Sequence, residues 1–517
     1  MQCIFYYKFL RGRFMLFNSV PFMIFLPIAV ILYYAVPQKF QKIYLLAVSY
    51  YFYACFDLRA VPFLVAATLV SFYAAKAIET KEGKARTTAM LLALAVNIGM
   101  LLFFKYCNFF AENIVALANL FGADIEFRRF SILMVTGISF FTFQSVGYVV
   151  DVYLKKIKAE HNLLTYSLFI GFFPHVLAGP ISRAAKLMPQ FYKEHNFNYD
   201  NLRTGLQLMA IGFFKKIAVA DVLAMFIGAV HNNLTEYSGL MLIFTAFAYS
   251  IQLYGDFSGY SDIARGCAKL LDFDIVDNFS TPYFSTSFSQ FWTKWHISLS
   301  SWFQDYIFTP FVWTNPLRRF GFSNPPVIIG IWLVFLTSGL WHGSAWTFII
   351  WGVLHAIYRT AEDLKRKYWR KPDKRPKPLK FWAKVAGVFT LVTFSQIFFR
   401  ANSVQDAFWY VGHLFTNLSP AVFVSDLYKA IAAGFDATPL LIYAYIAYSV
   451  VVTAVIVYMD WYRQFKLKGK CLTLAFDKMK QPVRLFCYWA LVLLILAGFI
   501  MQNGGYGASA SFIYANF

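Results

Sequence analysis

Residues 440–458 read LLIYAYIAYSVVVTAVIVY, nineteen positions without one charged side chain. At 1.5 Å per residue such a run makes a helix of about 28 Å, close to the roughly 30 Å hydrocarbon thickness of a bilayer. Shortly after it come Arg463, Lys466, Lys468, Lys470, Lys478, Lys480 and Arg484, a basic loop of the kind retained on the cytoplasmic side of a membrane. The run has many counterparts. Apolar segments occupy 17–36, 43–56, 61–78, 87–104, 132–152, 163–177 and 206–230 in the first half, then 241–253, 327–340, 345–358, 381–399 and 483–500. Together they predict an all-α polytopic membrane protein with roughly 11 to 13 membrane-embedded helical segments. Several fall short of the ~20 residues of a straight crossing, so some are expected to be re-entrant, tilted or buried inside protein.

Composition points the same way: 59% of the 517 residues are apolar, only 14% are charged, and mean hydropathy is +0.53. Soluble domains carry nearer a quarter charged residues. The net charge of +21 comes from Lys and Arg in short tracts between apolar runs, which read as topology signals and membrane-lipid contacts rather than a nucleic-acid face. Six scattered cysteines without C-x-x-C spacing indicate neither a disulfide framework nor a thiolate metal site.

The strongest basic tract, with Lys365, Arg366, Lys367, Arg370, Lys371, Lys374, Arg375, Lys377 and Lys380, is expected in the cytoplasm. Crossing out through 381–399 and back through 440–458 reaches the second basic loop on the same side. The last span then leaves the tail 503–517 outside. Met15-Leu-Phe-Asn-Ser19 looks like an alternative start, which makes 1–14 a dispensable extension; 15–502 reads as one membrane domain. The first apolar run is followed at once by further spans, so no cleaved signal peptide is expected.

Polar residues within apolar stretches are costly and mark cavities or pathways by default. Three regions stand out. In Gln252-Leu-Tyr-Gly-Asp-Phe-Ser-Gly-Tyr-Ser-Asp262, two carboxylates are interleaved with glycines and serines. It reads either as a helix break shaping an intramembrane site or as a membrane-edge turn with Asp capping the next helix. Phe291-Trp-Thr-Lys-Trp-His-Ile-Ser-Leu-Ser-Ser-Trp302 continues to Tyr306 as one aromatic amphipathic helix. An interfacial anchor with Lys294 in the headgroups accounts for all of it except His296, either a hydrogen-bonded structural histidine or a functional one. In Leu336-Thr-Ser-Gly-Leu-Trp-His-Gly-Ser-Ala-Trp346, His342 lies between two apolar spans, where it suits a catalytic base or a transporter's proton relay. No phosphate-cradling loop, G-x-S-x-G elbow or H-E-x-x-H motif accompanies them.

At these residues the sequence resembles the membrane-bound O-acyltransferase family, in the bacterial branch typified by the membrane subunit of alginate O-acetylation. The resemblance rests on Met15-Leu-Phe-Asn-Ser19, Phe173-Pro-His-Val-Leu-Ala-Gly-Pro-Ile181, Tyr254-Gly-Asp-Phe-Ser-Gly-Tyr-Ser-Asp262, Asn278-Phe, Pro282-Tyr, the stretch from Phe291 to Ser301, Gly339-Leu-Trp-His-Gly343, Phe398-Phe-Arg-Ala401 and the ending Phe512-Ile-Tyr-Ala-Asn-Phe517. It implies a ring of tilted helices around a tunnel, with an acyl donor entering from the cytoplasm and an acceptor from outside. His342 matches the family's catalytic histidine, and His296 the second characteristic one, which some members replace by Asn. Asp256, Ser258, Trp295, Ser298 and Trp341 are expected to line the tunnel or bind substrate. Imidazole, with an unperturbed pKa of about 6.5, suits deprotonation of an attacking alcohol at neutral pH.

The resemblance further implies acetyl-CoA, or another acyl thioester, as donor, with no tightly bound cofactor and no metal. The acetyl group would pass to an extracytoplasmic partner resembling SGNH hydrolases, which modifies a polysaccharide; the aromatic tail is a candidate docking element. Location in the bacterial cytoplasmic membrane follows. Thr309-Pro-Phe-Val-Trp-Thr-Asn-Pro-Leu-Arg-Arg-Phe320 lacks the Gly-Gly-Asn-Arg-type turn expected of the alginate subfamily, which leaves alginate, cellulose, peptidoglycan and other glycans open. D-alanyl transfer from a carrier-protein thioester to teichoic acid is the nearest enzymatic alternative. A secondary transporter is the alternative of another class, for which two related halves would be expected; no internal repeat is found.

Overall fold

The computed structural model describes residues 15–314, 316, 324–368, 378–434 and 438–503, so the extension 1–14, the basic residues 370–377 and the tail ending 512–517 lie outside the described residues. Among the described residues the secondary structure is helical, with no strand. Seven helices among the described residues are long and apolar enough to cross a membrane: Leu58–Thr80, Gly83–Leu120, Gly239–Leu270, Pro325–His342, Pro378–Arg400, Pro439–Phe465 and Gln481–Gln502. The other apolar segments form shorter or more polar helices. Contacts divide the chain into two compact units.

The first unit comprises the residues up to Leu206 together with Ala264–Val276. It holds α1 (Val20–Ala35), α2 (Gln38–Ala54), α3 (Val61–Thr80), α4 (Gly83–Leu101), α5 (Cys107–Leu120), α6 (Ile138–Tyr153) and α7 (Leu163–Gly171). Helix α1 begins where it does because Ser19 accepts a hydrogen bond from the Phe22 amide at 3.3 Å. Helix α7 spans only nine residues, about 14 Å, too short to cross, and it is buried along much of its length. It packs beside Phe173-Pro-His-Val-Leu-Ala-Gly-Pro-Ile181, a buried non-helical turn. There His175 Nε2 lies 3.1 Å from the Gln144 amide and 3.1 Å from the Phe169 carbonyl, a structural arrangement. Gly137 is left-handed (φ +79°), and a Cβ on it would stand 2.5 Å from the Val176 carbonyl oxygen, so only glycine fits.

The second unit comprises Gln207–Ile263 and the residues from Asp277 onward. After α8 (Tyr199–Phe213), a π-helical stretch (Phe214–Asp221) leads into α9 (Val222–Asn232). Next come α10 (Gly239–Leu270), α11 (Phe288–Trp292), α12 (Ile297–Phe303), α13 (Asn324–His342), α14 (Trp346–Tyr368), α15 (Pro378–Arg400), α16 (Val404–His413), α17 (Pro420–Gly434), α18 (Pro439–Phe465) and α19 (Gln481–Asn503). The most apolar stretch of α10 is 67% buried against protein, whereas that of α19 is 11% buried. Helix α10 is therefore an internal element, and α19 presents its apolar side chains outward, as a lipid-facing helix does.

Both readings of the stretch 252–262 are corrected here: it neither breaks a helix nor ends one, but lies inside the 32-residue α10. Its glycines serve close packing. A Cβ on Gly259 would meet the Gly212 carbonyl oxygen at 2.7 Å, and one on Gly255 the Lys215 carbonyl oxygen at 2.9 Å. Small residues here let two backbones approach as apolar helices do in membranes. The reading of 291–306 as one helix is also corrected: the chain breaks between α11 and α12, and His296 is left-handed at φ 44°, ψ 54°.

Candidate active site

His342 is the last residue of α13 and is 2% exposed. The hairpin that presents it is drawn tight by three glycines. A Cβ on Gly339 would stand 2.4 Å from the Phe348 carbonyl oxygen, one on Gly352 2.4 Å from that of Phe335, and one on Gly343 would enter the Phe348 ring. This is the physical content of Gly339-Leu-Trp-His-Gly343: side chains at 339, 343 or 352 would push α13 and α14 apart. The His342 ring is then held edge-on by aromatic neighbours, Trp341 at 5.0 Å, Trp351 at 5.0 Å and Phe399 at 5.2 Å between centroids.

His296 is fully buried, with the Phe257 ring 4.5 Å away and Trp341 5.8 Å away. One indole, Trp341, thus touches both histidines. The left-handed backbone of His296 costs a non-glycine residue about 1–2 kcal/mol, which the surroundings must offset. They do so through Asn278. Its carbonyl oxygen accepts from the Ile297 amide at 3.0 Å and its Oδ1 from the Ser298 amide at 3.0 Å, while its Nδ2 donates to Ser261 Oγ at 3.4 Å. Asn278 acts as an N-cap supplied from outside the helix. The next layer is fixed by the end of α18. Arg463 donates to the Phe279 carbonyl at 2.7 Å and pairs with Asp277 at 2.5 Å, and Gln464 accepts from Thr281 at 2.7 Å and Lys294 at 2.9 Å.

The interfacial-anchor reading fails on these contacts. Lys294 is engaged by Gln464, and Trp295, Leu299 and Trp302 are at most 5% exposed, so the aromatic stripe faces protein. Trp295 stacks on Phe291 at 5.5 Å and meets Phe279 at 5.1 Å. Ser298 is buried on the first turn of α12, its amide on Asn278. Ser258 is buried on α10, next to the Phe257 that touches His296.

Asp256 is engaged elsewhere. Lys216 pairs with Asp256 at 2.5 Å and with Asp221 at 2.7 Å, and Lys215 with Asp262 at 2.7 Å; all five side chains are at least nine-tenths buried. The two carboxylates of the 252–262 stretch, with Asp221, are thereby paired with two lysines of the preceding π-helical stretch, inside apolar surroundings where an isolated charge of either sign would be prohibitive. Sequence reasoning passed over Lys215 and Lys216, although two adjacent lysines inside an apolar run were a signal of the same kind as the aspartates. It also passed over His355, which reappears below.

A cavity of about 560 Å³ adjoins the site. Trp292, Ile297 and Ser300 line it from α11 and α12, Phe335 and Ser338 from α13, and Arg359 and Arg366 from α14. Helices α13 and α14 run antiparallel, with Gly339 against Phe348 and Phe335 against Gly352. Arg359 therefore lies near the start of α13, while Ser338 sits one helical turn before His342.

A helical membrane protein with two buried histidines, and a cavity whose lining includes Ile297 next to one and Ser338 one turn from the other, together with the side chains of Arg359, Asp363 and Arg366, has the parts of a transferase working within the bilayer. The model of the membrane-bound O-acyltransferase family matches residues 155–403. A peptidoglycan O-acetyltransferase of Helicobacter pylori is 32% identical over 435 residues, covering 77% of this chain and 79% of that protein. A probable alginate O-acetylase of Azotobacter vinelandii is 34% identical over 444 residues, covering 84% of each. A teichoic acid D-alanyltransferase of Bacillus subtilis is 31% identical over 242 residues, 46% of this chain and 60% of that protein. The chain belongs to the membrane-bound O-acyltransferase family, and it is an O-acyltransferase of the multi-pass membrane type.

Proposed function

We propose that this protein takes acetyl groups from cytoplasmic acetyl-CoA and delivers them, across the cytoplasmic membrane and through an extracytoplasmic partner of the SGNH-hydrolase type, to hydroxyls of a cell-surface polysaccharide. His342 is the general base. Its imidazole removes the hydroxyl proton as the oxygen attacks the thioester carbonyl. The tetrahedral intermediate then collapses with cleavage of the C–S bond, and the imidazolium returns the proton to the leaving thiolate, so that an ester and a free thiol leave a neutral histidine. His296 and Trp341 orient the reactants, and Asn278 keeps His296 in place. Asp256 acts at a distance by holding α10, and with it Phe257, against His296.

The observation that carries this reading is the cavity whose lining on α13 ends at Ser338, one helical turn from His342. From the level of Arg359 to His342 the hairpin rises about 20 Å, the length scale of an extended pantetheine arm. Arg359 suits a donor phosphate, Arg366 is paired with the cavity-lining Asp363 at 2.8 Å, and Ser338 marks the reacting end. In this reading the basic end of α14 faces the cytoplasm, as the positive-inside rule expects, so the donor enters there and the C-terminal tail lies outside. What supports acetyl as the group is the similarity to a peptidoglycan O-acetyltransferase and a probable alginate O-acetylase, each matched over more than three-quarters of this chain.

The test is donor turnover by inside-out membrane vesicles carrying the protein. Acetyl-CoA is expected to be consumed with stoichiometric thiol release; consumption only of an aminoacylated carrier protein would replace acetyl by D-alanyl transfer. Deleting 512–517 should separate donor turnover from polymer acetylation, because the tail is assigned to docking the partner. Unchanged polymer acetylation would remove that assignment.

A further inference from the structure

A third histidine stands behind the wall of the His342 site. His355, on α14, is 1% exposed, and its Nε2 lies 2.9 Å from Ser395 Oγ on α15. The Ser395 hydroxyl has one hydrogen, and the Val392 carbonyl oxygen is 2.7 Å from it. With that hydrogen donated to Val392, Nε2–H donates to Ser395 and the lone pair falls on Nδ1. The bond ties α14 to α15 at the level where those two helices carry the rings that hold His342. Trp351 is one turn before His355, and Phe399 is one turn after Ser395. Both pack on His342, and they pack on each other at 5.4 Å. Trp351 is shared, lying 5.0 Å from His342 and 4.8 Å from His355. On its other faces His355 meets Trp292 at 5.1 Å and Phe335 at 5.8 Å, two residues that line the cavity.

A purely apolar contact would leave this geometry free to slide, since aromatic faces tolerate offset. A directional bond between two helices fixes both their register and the plane of the imidazole against which Trp351 rests. Placing a histidine and a serine in so apolar a setting is costly, and the cost is met in part: Nε2 finds Ser395 and the Ser395 hydroxyl finds Val392, while the buried Nδ1 has no hydrogen-bond partner.

We infer that His355 and Ser395 form a positioning pair for acyl transfer, which locks α14 to α15 and so fixes Trp351 and Phe399 around the reacting imidazole. The pair touches neither donor nor acceptor; it acts through Trp351. This inference rests on the reading of His342 as the base.

The experiment measures thiol release from acetyl-CoA by inside-out vesicles carrying the full chain, with His342→Ala vesicles as background. His355→Phe keeps a ring and loses the bond, Ser395→Ala removes one oxygen, and His355→Gln retains a donor where Nε2 stood. A lost directional bond of this kind corresponds to about a tenfold fall in kcat for His355→Phe and Ser395→Ala, with the KM for acetyl-CoA within about twofold. His355→Gln should stay within about threefold of wild type, and the double variant His355→Phe/Ser395→Ala should be no worse than the poorer single one, as for two ends of one interaction. Full kcat in Ser395→Ala overturns the inference, and so do losses in the two singles that multiply in the double. Should His355→Phe fail to accumulate, Ser395→Ala decides by the same criterion. Wild-type vesicles that release no more thiol than His342→Ala vesicles would overturn the function proposed above and this inference with it, whereas normal wild-type turnover with unaffected pair variants would overturn only the inference.

Discussion

Lys216→Met removes the cation between Asp221 and Asp256 and keeps nearly the same side-chain volume. The three groups together carry one net negative charge: Lys216 is 1% exposed, and its partners are 2% and 3% exposed at 2.7 Å and 2.5 Å. The substitution leaves two carboxylates in that space, and removing one partner of a buried ionic group costs about 3–5 kcal/mol. Asp256→Asn moves the other way. It leaves a neutral Lys216–Asp221 pair and costs about 1–3 kcal/mol, as for one weakened hydrogen bond to a charged group. The two effects must then couple with a definite sign: Lys216→Met/Asp256→Asn should be more stable than Lys216→Met, because the second change removes a charge that the first left uncompensated. Thermal unfolding of detergent-purified protein, followed by monodispersity on a sizing column, gives the order wild type, Asp256→Asn, double, Lys216→Met. A Lys216→Met protein as stable as wild type, or a double variant less stable than it, would refute the assignment of Asp256 to a structural ion pair.

Three further expectations follow from the geometry around the histidines. Gly352→Ala brings a Cβ to 2.4 Å from the Phe335 carbonyl oxygen; with overpacking costs of about 1–3 kcal/mol or more, less protein should reach the membrane, as quantitative immunoblotting would read. Asn278→Ala removes the cap of the α12 start and should cost about 1 kcal/mol in unfolding experiments, while lowering transfer more than it lowers membrane abundance; Asn278→Asp, which keeps the acceptor for the Ser298 amide, should restore part of the rate. His296→Gly relieves the left-handed strain, so its unfolding midpoint should not fall by more than the lost ring packing explains, yet transfer should drop because the ring no longer meets Trp341. Transfer unchanged in His296→Gly would leave that histidine a structural role only.

The class of fold was legible because a bilayer-spanning run such as 440–458 has no other stable home, and it appears as α18. The placement of His342 at the end of an apolar helix, beside glycines, was legible for a similar reason: its hairpin is built from residues within thirty positions of one another. What escaped was set by distant partners. The aspartates of 252–262 looked like a helix break because the lysines that pair with them lie 40 and 47 positions earlier. The 291–306 stretch looked like one interfacial helix because its spacing gives an aromatic stripe without saying whether lipid or protein covers it. The break at His296 depends on Asn278, far enough upstream to leave no local mark. Segments such as 163–177 read as spans by composition, yet α7 is a short buried helix, since an element enclosed by other protein is as apolar as one enclosed by lipid.

The most direct test is the rate of acetyl transfer in membranes carrying His342→Ala, normalised to the amount of protein inserted. Loss of a general base that also positions the attacking hydroxyl predicts a fall of about 10²–10⁴-fold with normal insertion and unfolding behaviour. Transfer at even a tenth of the wild-type rate from correctly folded His342→Ala protein would contradict the account.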